Sequence, residues 1–316
     1  MEFIELAELC DKGSSNLAQK DLVFDSGIYP VYGAPGEITK VDFFHQSKPY
    51  LGLIKDGAGV GRIMQLPANS SVIGTIQYIF PKENVDLKYL YYLIKYLDLG
   101  KANTGATIPH IYFKDYKKRK VKVREYSEQK HIGQILELID NHLRTYKKVL
   151  EQYDLLIKSR FVEMFGDIRE GGRFKVKKWK DVVDIFNGKD YKTVQVDIGG
   201  YPVYGSGGII ARASEYICPA KTIIIGRKGS INNPILVNEK FWNVDTAFGI
   251  VPKETINTNY LFYFCKQYNF NHLNKATTLP SLTKRDLLEI KINIPSIEEQ
   301  ETFSRFVGQI NKLKFD

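Results

Sequence analysis

Asp286, Glu289 and Lys291 are the residues of this chain best suited by type to metal-assisted cleavage of a phosphodiester. The pattern is weak. A related stretch earlier in the chain carries Lys118, Arg119 and Lys120 with no carboxylate, so the edge of a strand accounts for both better than catalysis does. The run Gly57–Arg62, GAGVGR, has the glycines of a dinucleotide-binding turn, but its later relative, Gly229–Pro234, reads GSINNP and could not cradle a pyrophosphate. A β-turn that brings backbone close to a partner is the better reading. Asn233-Pro234-Ile235 approaches the Asn-Pro-Pro-aromatic run of adenine methylation and lacks its second proline and its aromatic. There is no GxxxxGK[ST] loop for ATP. The histidines at 45, 110, 131, 142 and 272 lack the spacing of metal ligands. Cys10, Cys218 and Cys265 form neither a CxxC pair nor a disulfide framework. Chemistry on small molecules, redox work and metal hydrolysis therefore find no support, and what remains is recognition.

The elements that would position recognition residues occur twice. Residues 29–36 read YPVYGAPG and residues 201–208 read YPVYGSGG, with six identities in eight positions. At nearly the same offset Gly57 pairs with Gly229, Thr75 with Thr246 and Pro81 with Pro252. Tyr89-Leu90 pairs with Tyr260-Leu261, Thr107-Ile108-Pro109 with Thr278-Leu279-Pro280, Asp115 with Asp286, and Glu128-Gln129 with Glu299-Gln300. A repeat this long is a whole domain. The 316 residues, 43% of them hydrophobic, agree with two packed domains. Short β-like runs (Gly52–Ile54, Val72–Phe80, Val121–Val123, Thr222–Gly226) alternate with Gly, Pro and Asn turns. Helical spacing appears at Asp86–Asp98 and again at Thr258–Tyr268.

Between the copies lies a different pattern. Ile132, Leu136, Ile139, Leu143, Tyr146, Leu150, Tyr153 and Ile157 are spaced alternately by four and three, a heptad seam expected to pack helix against helix. A helix from 132 to 164 would be about 50 Å long. It starts near Ser127 and stops at Gly166-Asp167, before the polar stretch Ile168–Arg173. After Pro295 a second helix starts, with Phe303, Val307 and Ile310 in the places of Ile132, Leu136 and Ile139. It holds about two heptads against nearly five in the first, so Leu150, Tyr153 and Ile157 need another subunit, a second copy of the chain, or the underside of the second domain. The expected division is 1–125 and 167–295 for the globular domains, with 126–166 and 296–316 as helices.

The formal net charge of +9 suits a polyanionic partner, most simply nucleic acid. Polar and basic residues recur in two loops of each copy. Lys55, Asp56 and Arg62 are answered by Arg227, Lys228, Asn232 and Asn233. Lys101, Asn103, Thr104, Thr107 and His110 are answered by Asn274, Lys275, Thr277, Thr278 and Ser281. Arg and Lys pair with guanine edges or phosphates, Asn with adenine and Thr with either phosphate or base. An ordinary solvated loop is the competing account. Lys118 sits in a basic run from Lys114 to Arg124, which suits phosphate contact or a solvated face. No apolar run reaches the roughly 20 residues of a membrane span, and MEFIELAELCDKG lacks the start of a signal peptide, so a cytoplasmic location is expected.

The order of domain, long helix, related domain and related helix resembles the specificity (S) subunit of type I restriction–modification systems. So do the EQ dipeptide opening each helix, the FVEMFGD end of the first, the ATIPHI and TTLPSL segments, and the KVKV and KINIP runs. The resemblance covers essentially the whole chain. It implies an α+β fold, with two repeated mixed α/β target recognition domains separated by long coiled-coil helices in a pseudo-twofold arrangement. Each domain would read half of a bipartite site on double-stranded DNA. The helices would space the domains and dock two methyltransferase (M) subunits, the outer polar face of the long helix being the candidate docking face. The chain itself would hold no cofactor and do no chemistry: S-adenosylmethionine belongs to the M subunits, and ATP and magnesium to the restriction (R) subunits, which join through the M complex. A shortened S-like protein acting as a dimerising or regulatory scaffold, a homodimer through the unpaired seam, is the alternative.

Overall fold

The structure is a computed structural model and describes residues 3–102, 109–168, 174–274 and 280–314. Its fold is α+β and falls into two compact units, Met1–Tyr146 and Lys147–Asp316. The division lies inside one continuous helix, Tyr126–Phe165, of 40 residues and therefore about 60 Å.

Each unit is built on the same plan. In the first, an antiparallel sheet runs Cys10–Ser14, Ile76–Pro81, Tyr50–Ile54, Ile63–Leu66. In the second, the corresponding sheet runs Val183–Asn187, Ala247–Pro252, Thr222–Gly226, Ile235–Val237. Tyr50–Ile54 and Thr222–Gly226 are buried along their whole length, as central strands covered on both faces must be. The YPVYG segments are the first strands of tight hairpins, Tyr29–Gly33 with Gly36–Val41 and Tyr201–Gly205 with Gly208–Ala213. Both hairpins have a bulge at the same Val-Tyr step, and both turns close on a glycine at φ +125°, Gly36 and Gly208.

The run expected as one strand over Val72–Phe80 is two. Ser71–Val72 pairs in parallel with the YPVYG strand, and Ile76–Pro81 enters the other sheet. The crossing is made at Gly74, whose N–H is taken by the carbonyl of Leu17 at 2.8 Å.

Helices Leu87–Leu97 and Thr258–Gln267 start at side-chain caps, Asp86 and Asn257. The repeated EQ dipeptide holds these helices in place. Gln129 accepts from the N–H of Asp86 at 3.0 Å and donates to the carbonyls of Asn84 and Arg124. Gln300 accepts from the N–H of Asn257 at 2.8 Å and donates to those of Thr255 and Pro295. Both glutamines are buried, at 2% and 0% exposure, with every bond of one matched in the other.

The heptad seam behaves differently along its length. Ile132 and Leu136 are half-buried, while Ile139, Leu143 and Tyr146 are 48%, 55% and 50% exposed. Over this stretch the seam that was expected to pack stays exposed within one chain. Farther on, Ile157 is fully buried in the core of the second unit, with Tyr153 packed against that core and Leu150 half-buried. Phe303, Val307 and Ile310 join the same core. There the two helices run antiparallel, since Phe161 meets Phe303 and Asp154, one heptad earlier, pairs with Lys314. The long helix ends at Gly166, where φ is +80°. No helix among the described residues is long and apolar enough to cross a membrane.

Candidate nucleic-acid interface

The two loops singled out in each copy meet. In the first unit the chain leaving Tyr50–Ile54 is bonded on both sides. Lys55 donates to the carbonyl of Thr75 at 3.0 Å and accepts from Ile111 at 2.9 Å, and Gly57 donates to Pro109 at 2.9 Å. Asp56 and His110 become bridge partners. In the second unit Arg227 donates to Thr246 at 2.7 Å and accepts from Leu282 at 2.9 Å, and Gly229 donates to Pro280 at 3.1 Å. Lys228 and Ser281 become the bridge partners. One backbone scaffold thus presents Lys-Asp beside His in one unit and Arg-Lys beside Ser in the other.

The glycines of GAGVGR serve this scaffold. Gly57, Gly59 and Gly61 have φ of +84°, +87° and +83°. A Cβ on Gly61 would lie 2.1 Å from the nitrogen of Gly100, so the turn and the Leu99–Ala102 segment touch backbone to backbone.

Individual side chains divide into free and committed. Lys228 and Asn233 are exposed, and Arg227 is exposed with its guanidinium over the Phe248 ring at 5.8 Å. Lys55 pairs with Asp56 at 3.6 Å, and Lys101 with Asp98 at 2.8 Å. The His110 ring lies 5.0 Å from that of Tyr112. Three expected contact residues also bond within the chain. Arg62 donates to the carbonyl of Ala34 in the hairpin turn. Asn232 accepts from the N–H of Phe270 at 2.7 Å and donates to Asn269. Asn274 accepts from the N–H of Ser281, a bridge residue, at 2.9 Å. Asn103, Thr104, Thr107, Lys275, Thr277 and Thr278 lie outside the described residues.

A basic cleft escaped the sequence reading. Lys12, Lys55, Lys114 and Lys117, with Ser14, Gln77 and Tyr112, line a cavity of about 410 Å³ and bring no carboxylate to it. Lys114 lies over the Tyr112 ring at 5.4 Å. Gln77 accepts from the buried hydroxyl of Tyr116 at 2.6 Å, which fixes the floor. Lys118, expected as the phosphate contact, is exposed one residue beyond the lining. Strand register is what places Lys12 and Ser14 there, opposite Ile79 and Gln77. The second unit has Ile185, Asn187, Phe248 and Leu288 in the matching positions, and Lys284 donates to the carbonyl of Ile185 at 2.7 Å. Lys12 and Lys117 thus have apolar counterparts, while Lys55 and Lys114 are matched by Arg227 and Arg285.

Groups that could do covalent chemistry are tied down. Glu289 pairs with Lys178, which holds its carboxyl below the usual range, and Asp286 accepts from Thr283 at 2.8 Å at a helix start. All three cysteines are buried, and burial pushes the thiols of Cys10 and Cys218 up to about 12 and raises that of Cys265 further, away from the reactive thiolate. Among the described residues no cluster of His, Cys, Asp and Glu could hold a metal ion.

The family described as Type I restriction modification DNA specificity domain matches the chain twice, over residues 1–152 and 172–315. The MjaVIII specificity subunit of the type I restriction enzyme from Methanocaldococcus jannaschii is 26% identical over 314 residues, covering 83% of this chain and 72% of that protein. The EcoprrI specificity subunit from Escherichia coli is 28% identical over 114 residues, 36% of this chain and 28% of its own length. Among solved structures, the type I S subunit from M. genitalium superposes with a TM-score of 0.71 at 18% identity, over 99% of this chain and 90% of that one. The duplicated match, the duplicated scaffold and these relatives agree: the chain belongs to the family of type I restriction–modification specificity subunits, the non-catalytic components of those systems, and carries two target recognition domains.

Proposed function

We propose that this chain reads an asymmetric, bipartite site on double-stranded DNA, one half with each unit, and holds methyltransferase subunits over it. One observation carries the reading: the same loop junction is built twice and offers different side chains each time, Lys55, Asp56 and His110 against Arg227, Lys228 and Ser281. A shared scaffold with unlike side chains is what two unlike half-sites require, because base edges are matched residue by residue. The basic cleft adds phosphate contact on the first unit.

The 40-residue helix is the spacer in this reading, since half-sites on one face of B-DNA recur about every 34 Å. Its outer polar face is the dock for two M subunits, which bring S-adenosylmethionine, while R subunits join through them with ATP and magnesium. The complex works in the cytoplasm, where the DNA is. Methylome sequencing of a host expressing the chain with its M subunit tests this. The expected result is a modified adenine in each half of a split motif whose halves differ. A single contiguous motif, or a palindromic pair of halves, refutes it.

The exposed stretch Ile139–Tyr146 favours a second reading, a scaffold that self-associates without forming an active enzyme. Mass in solution with and without the M subunit separates the two, because a stable homodimer that refuses M would leave only the scaffold.

A further inference from the structure

Two buried polar groups of the first unit sit where the fold does not require them. Gln77 and Tyr116 are 6% and 0% exposed, and the Tyr116 hydroxyl donates to Oε1 of Gln77 at 2.6 Å. In the second unit the same places hold Phe248 and Leu287, at 2% and 0% exposure. Strand register supports the match, since Ser14 stands opposite Gln77 as Asn187 stands opposite Phe248. An apolar pair therefore closes this frame, whereas a buried amide is costly unless both its ends find partners.

Gln77 has a partner for one end only. The buried hydroxyl of Tyr116 has no other acceptor among the described residues, so it must donate to Oε1, and the amide nitrogen is left to face the other way. That nitrogen meets no acceptor among the described residues. It is not sealed in the core either, because Gln77 forms part of the lining of the basic cleft. The cleft thus has a hydrogen-bond donor at its floor that waits for an acceptor from outside the chain.

A phosphate could supply that acceptor but would leave most of the cleft unfilled. Its 410 Å³ lies within the roughly 300–1,000 Å³ of sites that enclose whole small molecules. Its wall is aromatic, formed by Phe113 and by Tyr112, which is 48% exposed. Lys114 rests over the Tyr112 ring at 5.4 Å. At an exposed site that contact is weaker than the stacking of a base, which would take the ring face and release Lys114 to a phosphate.

We infer that the cleft is a nucleotide site. It takes one nucleotide whose base is unpaired, with the phosphate among Lys12, Lys55, Lys114 and Lys117, the base on Tyr112, and a carbonyl or ring nitrogen of the base on the Gln77 amide. The inference rests on the reading of the cleft as a phosphate site and adds the base to it. A free mononucleotide and a nucleotide turned out of a DNA strand share this chemistry.

Calorimetric titration of the full chain with thymidine monophosphate, inorganic phosphate and thymidine tests it. The mononucleotide should bind about tenfold or more tighter than either of its parts. Tyr112→Leu should weaken the mononucleotide by about fivefold or more, and Gln77→Met by about threefold or more, with inorganic phosphate altered by less than about twofold. Tyr112 is half-exposed, so its replacement keeps the test decisive if Gln77→Met misfolds. A duplex with one bulged thymidine, set against its fully paired counterpart, separates the sources. A preference for the bulge that Tyr112→Leu abolishes assigns the site to DNA; mononucleotide binding without that preference assigns it to a free nucleotide. Mononucleotide binding no tighter than that of inorganic phosphate overturns the inference, as does an equal loss of both in Tyr112→Leu. The salt dependence of duplex binding reads the phosphate contacts alone, so the phosphate reading would stand or fall separately.

Discussion

Removing Lys12 and Lys117 together separates phosphate attraction from base reading at the first unit. Both line the basic cleft, and neither lies in a packed core. Each lysine that neutralises a phosphate adds about 0.9 to the steepness with which log affinity falls against log salt. Two such contacts amount to about 1.8, so the double alanine variant should lose about 60-fold at roughly 0.1 M salt and only about ninefold at roughly 0.3 M. Fluorescence anisotropy over a salt series, with the chain in complex with its M subunit, reads the slope directly. The loss should be the same on the target duplex and on a scrambled one, because phosphates carry no sequence. An unaltered slope in the double lysine variant would refute the cleft as a phosphate site. A loss confined to the target duplex would refute it differently, by making these lysines base readers.

Other outcomes follow from the same geometry. Gln129→Ala and Gln300→Ala each remove three hydrogen bonds at a buried staple, and each should cost about 2–4 kcal/mol in chemical denaturation of the unit concerned; a cost near zero in either would show the staple to be incidental. Gly61→Ala combines a φ of +83° with a Cβ 2.1 Å from Gly100, so it should destabilise by about 3 kcal/mol or more and lower the thermal midpoint visibly in calorimetry. Replacing Arg227 by Ala should relax base preference in one half-site only, by about 5–150-fold against the best competing base, as read from selected duplex libraries. The cysteines should resist alkylation near roughly pH 8 in the folded chain and react on unfolding, since burial holds their thiols protonated; rapid labelling of the native protein would contradict that.

What could be read in the sequence was whatever the repeat printed twice. The doubled YPVYG became two hairpins with matching bulges, and the doubled Glu-Gln became two buried staples. The helices at Leu87–Leu97 and Thr258–Gln267 fell where their spacing put them. The loops of the candidate site were also visible, because polar residues recur in both copies. Their meeting was not, since a bridge between residues 56 and 110 depends on how intervening strands pair. The basic cleft was hidden for a related reason: Lys12 and Lys117 are far apart in sequence, and only strand register brings them together. The bonds that Asn232 and Asn274 make within the chain were not legible either, because an asparagine amide serves a turn and an adenine equally well. The heptad seam marks a face that suits packing, and over Ile139–Leu143 periodicity alone does not say what packs there.

The two copies can be compared position by position, and the comparison sorts cause from consequence. Where they agree, the shared residue holds backbone: the glutamines at 129 and 300, and the tyrosines at 89 and 260, whose hydroxyls donate to the carbonyls of Lys122 and Asn293. The copies differ in the core as well, with Tyr50 against Thr222 and Ile54 against Gly226 on the central strands, so a difference alone does not mark a reading face. The loop junction stands apart because its backbone bonds are kept while its side chains change, Lys55 and Asp56 against Arg227 and Lys228.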